Sequence, residues 1–431
     1  MNRRLQDAAA LLTLIALLSG CASSPQLAGS DLPRAALDSE EHLVVIAFHN
    51  PPGTAAPRPG STPRGYVDAG RYTVGFRTRN AMQAVARDYG LDKLAEWPIE
   101  LLQIQCAVYA APDGVDIDQL LSRLADDGRV HLAQRLQAFH TQSSARDAHG
   151  GMQSALEQMD IVAAHRRSLG DGVRVAVVDT GVDTSHPQLA GRIDAIHNFV
   201  DADAQQFRLD RHGTAVSGVI AANNSGAGLV GVAPRARLVA LKACWQLQAG
   251  ADAAKCNSYT LAQAMAMAID QRVQIINLSL TGPPDPLLDA LTRRAITAGI
   301  VVIGPVAENN AGFPASVPGV IEVSSAERGA AANGAIRAPG SDILSLAPDG
   351  RYAFFSGDSI ATAAVSGVVA LMLAEQPRLP RDQLGRLMND ATATVTTSHG
   401  ATNIVSACRA LNPADPRECS RGSAVAGSAA R

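Results

Sequence analysis

The sequence contains few aromatic residues: Phe, Trp and Tyr together make up only 4% of its 431 positions. Charged residues are also sparse at 18%, the formal net charge at pH 7 is -3, and no strongly basic stretch occurs. Nucleic-acid-binding surfaces need clustered Lys and Arg, so we expect no nucleic-acid partner. The hydrophobic fraction of 47% excludes a chain that is disordered throughout and is sufficient for a large core.

The N-terminal residues have the pattern of a signal peptide. Their apolar run, Ala8–Leu18, is too short to span a membrane as a stable anchor. The run ends in Leu18-Ser19-Gly20-Cys21, which resembles the lipobox of bacterial lipoproteins. This resemblance implies that residues 1–20 are removed, that Cys21 is acylated and anchors the protein in a membrane, and, since Ala22 follows, that the protein is sorted to the outer membrane of the bacterial envelope. An ordinary signal peptide that contains a cysteine is the alternative.

Cysteines are few, and five remain after the acylated one is set aside. Cys244 and Cys256 flank one polar, loop-like stretch, and Cys408 and Cys419 flank another. We therefore expect two local disulfides, which the oxidising envelope permits. Cys106 lies within an apolar run and is expected to be a buried, inert thiol. No Cys/His spacing typical of zinc occurs, so we expect no metal site, and nothing in the sequence implies a cofactor.

Shifts in composition divide the remaining chain into segments. Residues 21–40 are expected to form a lipidated tether, 41–140 a small α+β domain, 141–154 a linker, 155–411 an α/β domain and 412–431 a flexible tail. The order β-α-β-α-β is typical of a small α+β domain. The strands predicted in it are His42–Phe48, Arg71–Phe76, Ile99–Ala110 and Val130–Phe139, and the helices are Asn80–Tyr89 and Ile117–Ala125.

The segment 155–411 alternates short, continuously apolar strands with helices. This pattern predicts a mainly parallel sheet with helices on both faces. In such folds ligands and catalytic groups gather at the carboxyl ends of the strands.

Three residues in this segment are candidates for nucleophilic catalysis. Asp179 directly follows the apolar strand Val175–Val178, His212 opens a helix next to a glycine, and Ser359 opens a long apolar helix. Each alone has an ordinary structural explanation, such as a turn or a helix cap. Together, at the ends of strands and helices in one α/β domain, they make an orienting carboxylate, a base and a nucleophile.

The order Asp, His, Ser and the residues around it resemble the subtilase family of serine proteases. The family's Asp motif is matched by residues 175–183, its His motif by residues 210–221 and its Ser motif by residues 356–367. The resemblance implies a subtilisin-like fold and peptide-bond hydrolysis by Asp179, His212 and Ser359. It also implies that Ser279, Leu280, Thr281 and Gly282 line the bound protein or peptide substrate and that residues 41–140 are a propeptide-like domain.

The sequence departs from the family's pattern around the expected oxyanion site. Asp358 precedes the nucleophile where the family usually has Thr, and ungapped alignment places Glu308 where an Asn donor is usual. A local bulge could let Asn309 donate instead, or Glu308 could be held protonated and donate, which predicts activity shifted to acidic pH. Alternatively the protein is a catalytically weak or inactive pseudoprotease that binds extended peptides. An active serine endopeptidase is the expected function.

Overall fold

The computed structural model describes residues 32, 41–52, 73–141, 144–147, 158–223, 229–248, 250–307, 311–328, 334–397, 400–412 and 419. The predicted signal peptide, the lipidation site Cys21, and the candidate oxyanion residues Glu308 and Asn309 lie outside these residues, as do nearly all of the predicted tether and tail. Predictions that concern them remain predictions.

The N-terminal α+β region is built from strands β1 (Leu43–His49), β2 (Asp92–Ile99), β3 (Ile104–Ala110) and β4 (Leu132–Arg135) and helices α1 (Phe76–Tyr89) and α2 (Ile117–Ala125). The strands form an antiparallel sheet in the order β2-β3-β1-β4. Side chains alternate along β1, so Val44 and Ile46 pack against α1 and α2. Val45 and Ala47 face the helices of the larger domain.

Several of the predictions for this region were wrong. A strand was predicted at Arg71–Phe76, but residues 73–75 do not form a strand and Phe76 already begins α1. The strand predicted at Ile99–Ala110 is shorter, and the preceding strand β2 was missed because its inward-facing residues alternate with exposed polar ones. The strand predicted at Val130–Phe139 is divided into β4 and a separate strand, β5 (Ala138–Thr141), which belongs to another sheet. Part of the expected linker also forms a strand, β6 (Ser144–Asp147).

The larger domain is centred on a parallel sheet, as predicted. Among the described residues, seven strands form it in the order β16-β15-β14-β12-β7-β9-β8, and every neighbouring pair is parallel. These strands are β7 (Arg174–Asp179), β8 (Ile193–Asn198), β9 (Arg237–Lys242), β12 (Ile275–Leu278), β14 (Val301–Pro305), β15 (Ile321–Ser325) and β16 (Ile336–Ala338).

Helices cover both faces of this sheet. The longer helices are α5 (Arg211–Ala221), α6 (Ser258–Asp270), α7 (Pro286–Thr297) and α8 (Asp358–Glu375). Val175 and Val177 of β7 pack with α5 and α8, whereas Ala176 and Val178 pack with α6 and α7. Within the described chain, α8 is the helix long and apolar enough to cross a membrane, and it is almost entirely buried in this core.

The remaining elements surround the sheet. The short helices are α3 (Ile161–Ala164), α4 (Ala204–Leu209), α9 (Leu384–Asp390) and α10 (Ala407–Leu411). The remaining strands are β10 (Cys244–Gln246), β11 (Ala254–Asn257), β13 (Leu280–Thr281), β17 (Ile343–Ala347), β18 (Arg351–Ser356), β19 (Thr392–Thr397) and β20 (Gly400–Val405). Single turns of 3-10 helix lie at Glu100–Leu102, Pro187–Leu189 and Arg381–Gln383.

Both predicted disulfides are present. Cys244 and Cys256 are directly opposite each other on the antiparallel strands β10 and β11, and their bond closes this hairpin. Cys408 of α10 is bonded to Cys419. Cys106, the free cysteine of the described residues, is fully buried in the N-terminal sheet, and burial raises the pKa of its thiol. A thiol held in this protonated form is a poor nucleophile.

The N-terminal region contacts the larger domain through a buried polar cluster. Asp285, the N-cap of α7, accepts a hydrogen bond from the Leu288 amide at 2.9 Å. Gln134 of β4 donates its side-chain amide to Asp285 Oδ2 at 2.7 Å and accepts from the Leu287 amide at 3.1 Å. Since burial raises the pKa of Asp285, these donors are needed to offset its desolvation.

We predict that Gln134→Leu lowers the free energy of unfolding by about 2 kcal/mol, because the Asp285 carboxylate and the Leu287 amide both lose a buried partner. Urea unfolding of the full chain, carried out with Ser359→Ala so that no cleavage can occur, measures this loss. Gln205→Ala, at an exposed position on α4, is the control and should change stability by less than about 0.5 kcal/mol. An equal effect of the two substitutions would contradict the role of Gln134.

Candidate active site

Asp179 and His212 are in direct contact. Asp179 ends β7, and the His212 Nδ1 atom lies 2.7 Å from Asp179 Oδ1 and 2.9 Å from Oδ2. Both side chains are buried, and the Thr180 amide donates a further hydrogen bond to Asp179 Oδ1 at 2.7 Å. With the carboxylate accepting from Nδ1, the other ring nitrogen, Nε2, is the one able to accept a proton. Within the described structure, Nε2 is buried and has no hydrogen-bond partner.

Glycine at position 213 permits this contact. A Cβ atom there would lie 2.1 Å from the Gly181 carbonyl oxygen, which is far inside van der Waals contact. Without a side chain, the first turn of α5 approaches the loop after β7, and the Gly213 amide donates to Thr180 Oγ1 at 3.1 Å. His212 is thereby held against the carboxyl end of the central strand.

Ser359 lies in the first turn of α8, which packs against α5. Its Oγ donates a hydrogen bond to the Ser279 carbonyl at 2.8 Å, and the Ser279 hydroxyl donates to the Ser359 carbonyl at 3.1 Å. The predicted nucleophile is therefore joined to the predicted substrate-lining segment. The structure brings Asp179 to His212 and Ser359 to Ser279, while no hydrogen bond joins Ser359 Oγ to His212 Nε2.

The predicted substrate-lining segment is already paired with a strand of the same chain. Strand β5 lies between β11 and β13 and is antiparallel to both. Thr141 is opposite Leu280, and His140 is opposite Thr281 on one side and Lys255 on the other. The predicted lining residues Ser279, Leu280 and Thr281 are consequently buried.

The space between β11 and β13, which β5 fills, is called the groove. Two side chains of β5 fit closely into it. The Phe139 ring packs edge-on against Phe313, with ring centroids 5.7 Å apart, and it occupies the space where a Cβ at position 282 would stand. The Thr141 hydroxyl donates to the Asp252 carbonyl at 3.3 Å and accepts from the Ala254 amide at 3.1 Å. The groove therefore receives an aromatic ring at one position and a hydroxyl group two residues later.

A second strand, β6, lies on the other side of the predicted nucleophile. Strand β6 pairs antiparallel with β18, with Ser144 opposite Ser356. Ser356 precedes Ser359 by three residues, so β5 and β6 are paired with strands that adjoin the two sides of the site. The two residues that connect Thr141 to Ser144 lie outside the described residues.

A buried ion pair links the loop that follows Asp179 to the residues just before His212. Lys242, the last residue of β9, lies opposite Asp179 in the sheet. Its Nζ donates to the Thr180 carbonyl and to Asp210 Oδ2, and both charged side chains are buried. Burial raises the pKa of Asp210 to about 7, and the Lys242 ammonium opposes this rise. Asp210 precedes His212 by two residues, so the pair connects the loop after β7 with the start of α5.

The pair of Lys242 and Asp210 was not predicted from the sequence. The signal was available, because Lys242 ends a strand whose other residues are apolar, and a lysine in a buried strand requires an acidic or carbonyl partner. The partner could not be identified, since Asp210 is 32 residues away in sequence.

We predict that Lys242→Met destabilises the fold by about 3–5 kcal/mol at pH 8, because it leaves the Asp210 carboxylate buried without a cation. Burial places the folded-state pKa of Asp210 above its ordinary value of 3.8, so its protonation at lower pH favours the folded state. The loss should therefore be smaller at pH 5. Thermal or urea unfolding at both pH values measures it.

Lys93→Met is the matched control for this prediction. Lys93 pairs with Glu96 at the surface, where an ion pair contributes only about 0–1 kcal/mol. A loss for Lys242→Met that is no larger than that of the control, or that does not depend on pH, would contradict the role assigned to the buried pair.

Comparisons with known proteins show the family to which the sequence and the fold belong. A sequence profile of the subtilase family matches residues 170–406. The chain is 36% identical over 239 residues to an intracellular serine protease of Paenibacillus polymyxa, covering 50% of this chain and 71% of that protein. It is 29% identical over 371 residues to subtilisin E of Bacillus subtilis (strain 168), covering 81% of this chain and 91% of that protein.

The fold is also similar to the crystal structure of fervidolysin from Fervidobacterium pennivorans, which is described as a keratinolytic enzyme related to subtilisin. The TM-score is 0.65 at 18% identity, and the match covers 90% of this chain and 63% of that chain. Since the family profile covers more than half of the sequence, and the predicted parallel sheet is present, the chain belongs to the subtilase family of serine endopeptidases.

Proposed function

We propose that the protein hydrolyses peptide bonds by acyl transfer, with Ser359 as the nucleophile, His212 as the general base and acid, and Asp179 as the residue that orients His212. The contact between His212 Nδ1 and Asp179 is the observation that carries this proposal. It fixes the tautomer that leaves Nε2 as the proton acceptor, and it stabilises the imidazolium that forms when the serine proton is transferred.

The serine must change its hydrogen bond for the reaction to begin. Its proton is now donated to the Ser279 carbonyl, and rotation of Oγ toward His212 Nε2 would transfer that proton to the ring during attack on the substrate carbonyl. The first turn of α8 carries the partial positive potential of a helix N-terminus, which favours negative charge developing there. Asn309 or Glu308 remains the predicted oxyanion donor.

We infer that the substrate is a protein or peptide that binds in extended form where β5 now lies. Strand addition supplies main-chain hydrogen bonds on both sides, from β11 and β13, and leaves alternate side chains to be selected by pockets. The occupation of this groove by the chain itself also supports a propeptide-like role for residues 41–140, which would keep the site closed until β5 is displaced.

We also propose that the protein is anchored in the bacterial envelope through a lipid on Cys21. The support is the lipobox-like sequence together with the two disulfides, which persist in an oxidising compartment. Metabolic labelling with a fatty-acid analogue, compared between the natural chain and Cys21→Ala, would test the anchor.

Hydrolysis of casein or a fluorogenic peptide by residues 22–431, measured from pH 4 to pH 9, tests the proposed activity. We expect Ser359→Ala to abolish hydrolysis and Asp179→Asn to lower kcat by about 10⁴-fold, since the amide favours the wrong tautomer of His212. Labelling by a fluorophosphonate probe should be strongest in the wild type, weaker in Asp179→Asn and absent in Ser359→Ala. A folded wild-type protein that is no more active than Ser359→Ala, and that holds peptides without cutting them, would establish the pseudoprotease alternative instead.

We predict that the groove prefers a threonine at the position that Thr141 occupies. Two peptides that copy residues 138–144, one with Thr and one with Val at position 141, have nearly the same shape. The Val peptide leaves the Ala254 amide and the Asp252 carbonyl without their partner, so kcat/KM should fall by about 10-fold or more. A Ser peptide is the control and should be cut more efficiently than the Val peptide; equal rates for Thr and Val would refute the preference.

A further inference from the structure

An acidic residue stands next to the proposed nucleophile. Asp358 is the first residue of α8, is 6% exposed, and immediately precedes Ser359. Negative charge would develop on the substrate carbonyl oxygen beside this helix terminus during the proposed reaction. A carboxylate directed into that space would oppose this charge, and the opposition is strong where water is excluded.

The Asp358 carboxylate is bound at the carboxyl end of β15. Its Oδ1 accepts a hydrogen bond from the Ser325 amide at 2.7 Å, and its Oδ2 accepts from Arg328 Nη1. One oxygen is thus bound to the last residue of β15 and the other to the segment that follows, where the guanidinium supplies a compensating positive charge.

The segment around Arg328 is itself fixed by hydrogen bonds. Arg337 Nη2 donates to the carbonyls of Ala326 and Arg328, both at 2.7 Å. Glu327 accepts from the Ser325 hydroxyl at 2.6 Å and from the Gly340 amide at 3.0 Å. Among the described residues of this segment, the charged side chains so engaged are Glu327, Arg328 and Arg337, and Arg328 is the one that contacts Asp358.

We propose that Arg328 is a positioning residue of the active site, which holds the Asp358 carboxylate against the end of β15 and away from the reacting carbonyl. The pair compensates in this chain for an acidic residue at a position where charge is otherwise unfavourable. It acts on the chemical step through Asp358 and makes no contact with substrate, so it should affect kcat rather than KM. The inference rests on the proposed protease activity.

The test is peptide hydrolysis by the full chain after its rate has become constant, with kcat and KM measured separately. Arg328→Ala should lower kcat by about 10- to 100-fold with KM changed less than about twofold, because the carboxylate is released and uncompensated. Arg328→Lys should restore most of the loss. The double variant Arg328→Ala/Asp358→Ala should also recover, since no carboxylate remains.

Arg167→Ala is the matched control. Arg167 pairs with Glu375 at the other end of α8 and has nearly the same exposure as Arg328, 37% against 38%. Loss of an ion pair that merely stabilises the helix would lower the melting temperature in both variants, whereas kcat should fall only in Arg328→Ala.

Three outcomes would overturn the proposal: unchanged kcat in Arg328→Ala, an equal loss with and without Asp358, or a loss in the control of the same size. If Arg328→Ala does not fold, Asp358→Ala alone tests the proposal. Its kcat should stay within about threefold of the wild type. A large loss would show that the carboxylate itself is needed and would contradict the proposal. A wild-type protein that neither cuts peptides nor reacts with a fluorophosphonate would overturn the proposed function as well, and so differs from a failure of this inference alone.

Discussion

The close approach of α5 to the loop after β7 is the constraint on which the site depends. The central strand of a parallel sheet ends in Asp179, and the first turn of α5 reaches this strand end only because position 213 carries no side chain. The result is a direct, buried hydrogen bond between His212 and Asp179. Sheet topology, helix packing and a single glycine together produce the geometry that a general base requires.

Two carboxylates are buried beside this site, and each is stabilised by a cation in the same way. Asp210 lies two residues before His212 and Asp358 one residue before Ser359, and both carboxylates are buried. Each is paired with a cation at or just after the end of a sheet strand, Lys242 for Asp210 and Arg328 for Asp358. These two acidic residues next to the proposed catalytic groups are thus compensated by cations from the sheet and its strand ends.

The sequence predicted the elements whose signal is local. Apolar strands alternating with helices predicted the parallel sheet, and Cys244 and Cys256 predicted a disulfide across one hairpin, because these patterns lie within short stretches of chain. The pairing of Lys242 with Asp210 and of Arg328 with Asp358 could not be predicted, since each joins residues about 30 positions apart. Part of the segment expected to be a linker was misjudged for the same reason: β6 is a strand because β18 of the larger domain provides a strand to pair with.

Strand β5 lies where the substrate is proposed to bind, so it bears on how activity would be regulated. An extended strand between β11 and β13 is what a peptide substrate would add, and the chain supplies it itself. Main-chain hydrogen bonds do not distinguish an internal strand from an external one, so at the proposed substrate position the affinity for substrate and the closure by β5 would rest on the same contacts. A groove that binds Phe139 and Thr141 tightly would select similar substrates but release its own strand slowly. On the proposed substrate position, selectivity and latency would therefore be coupled, and a change that strengthens one would also strengthen the other.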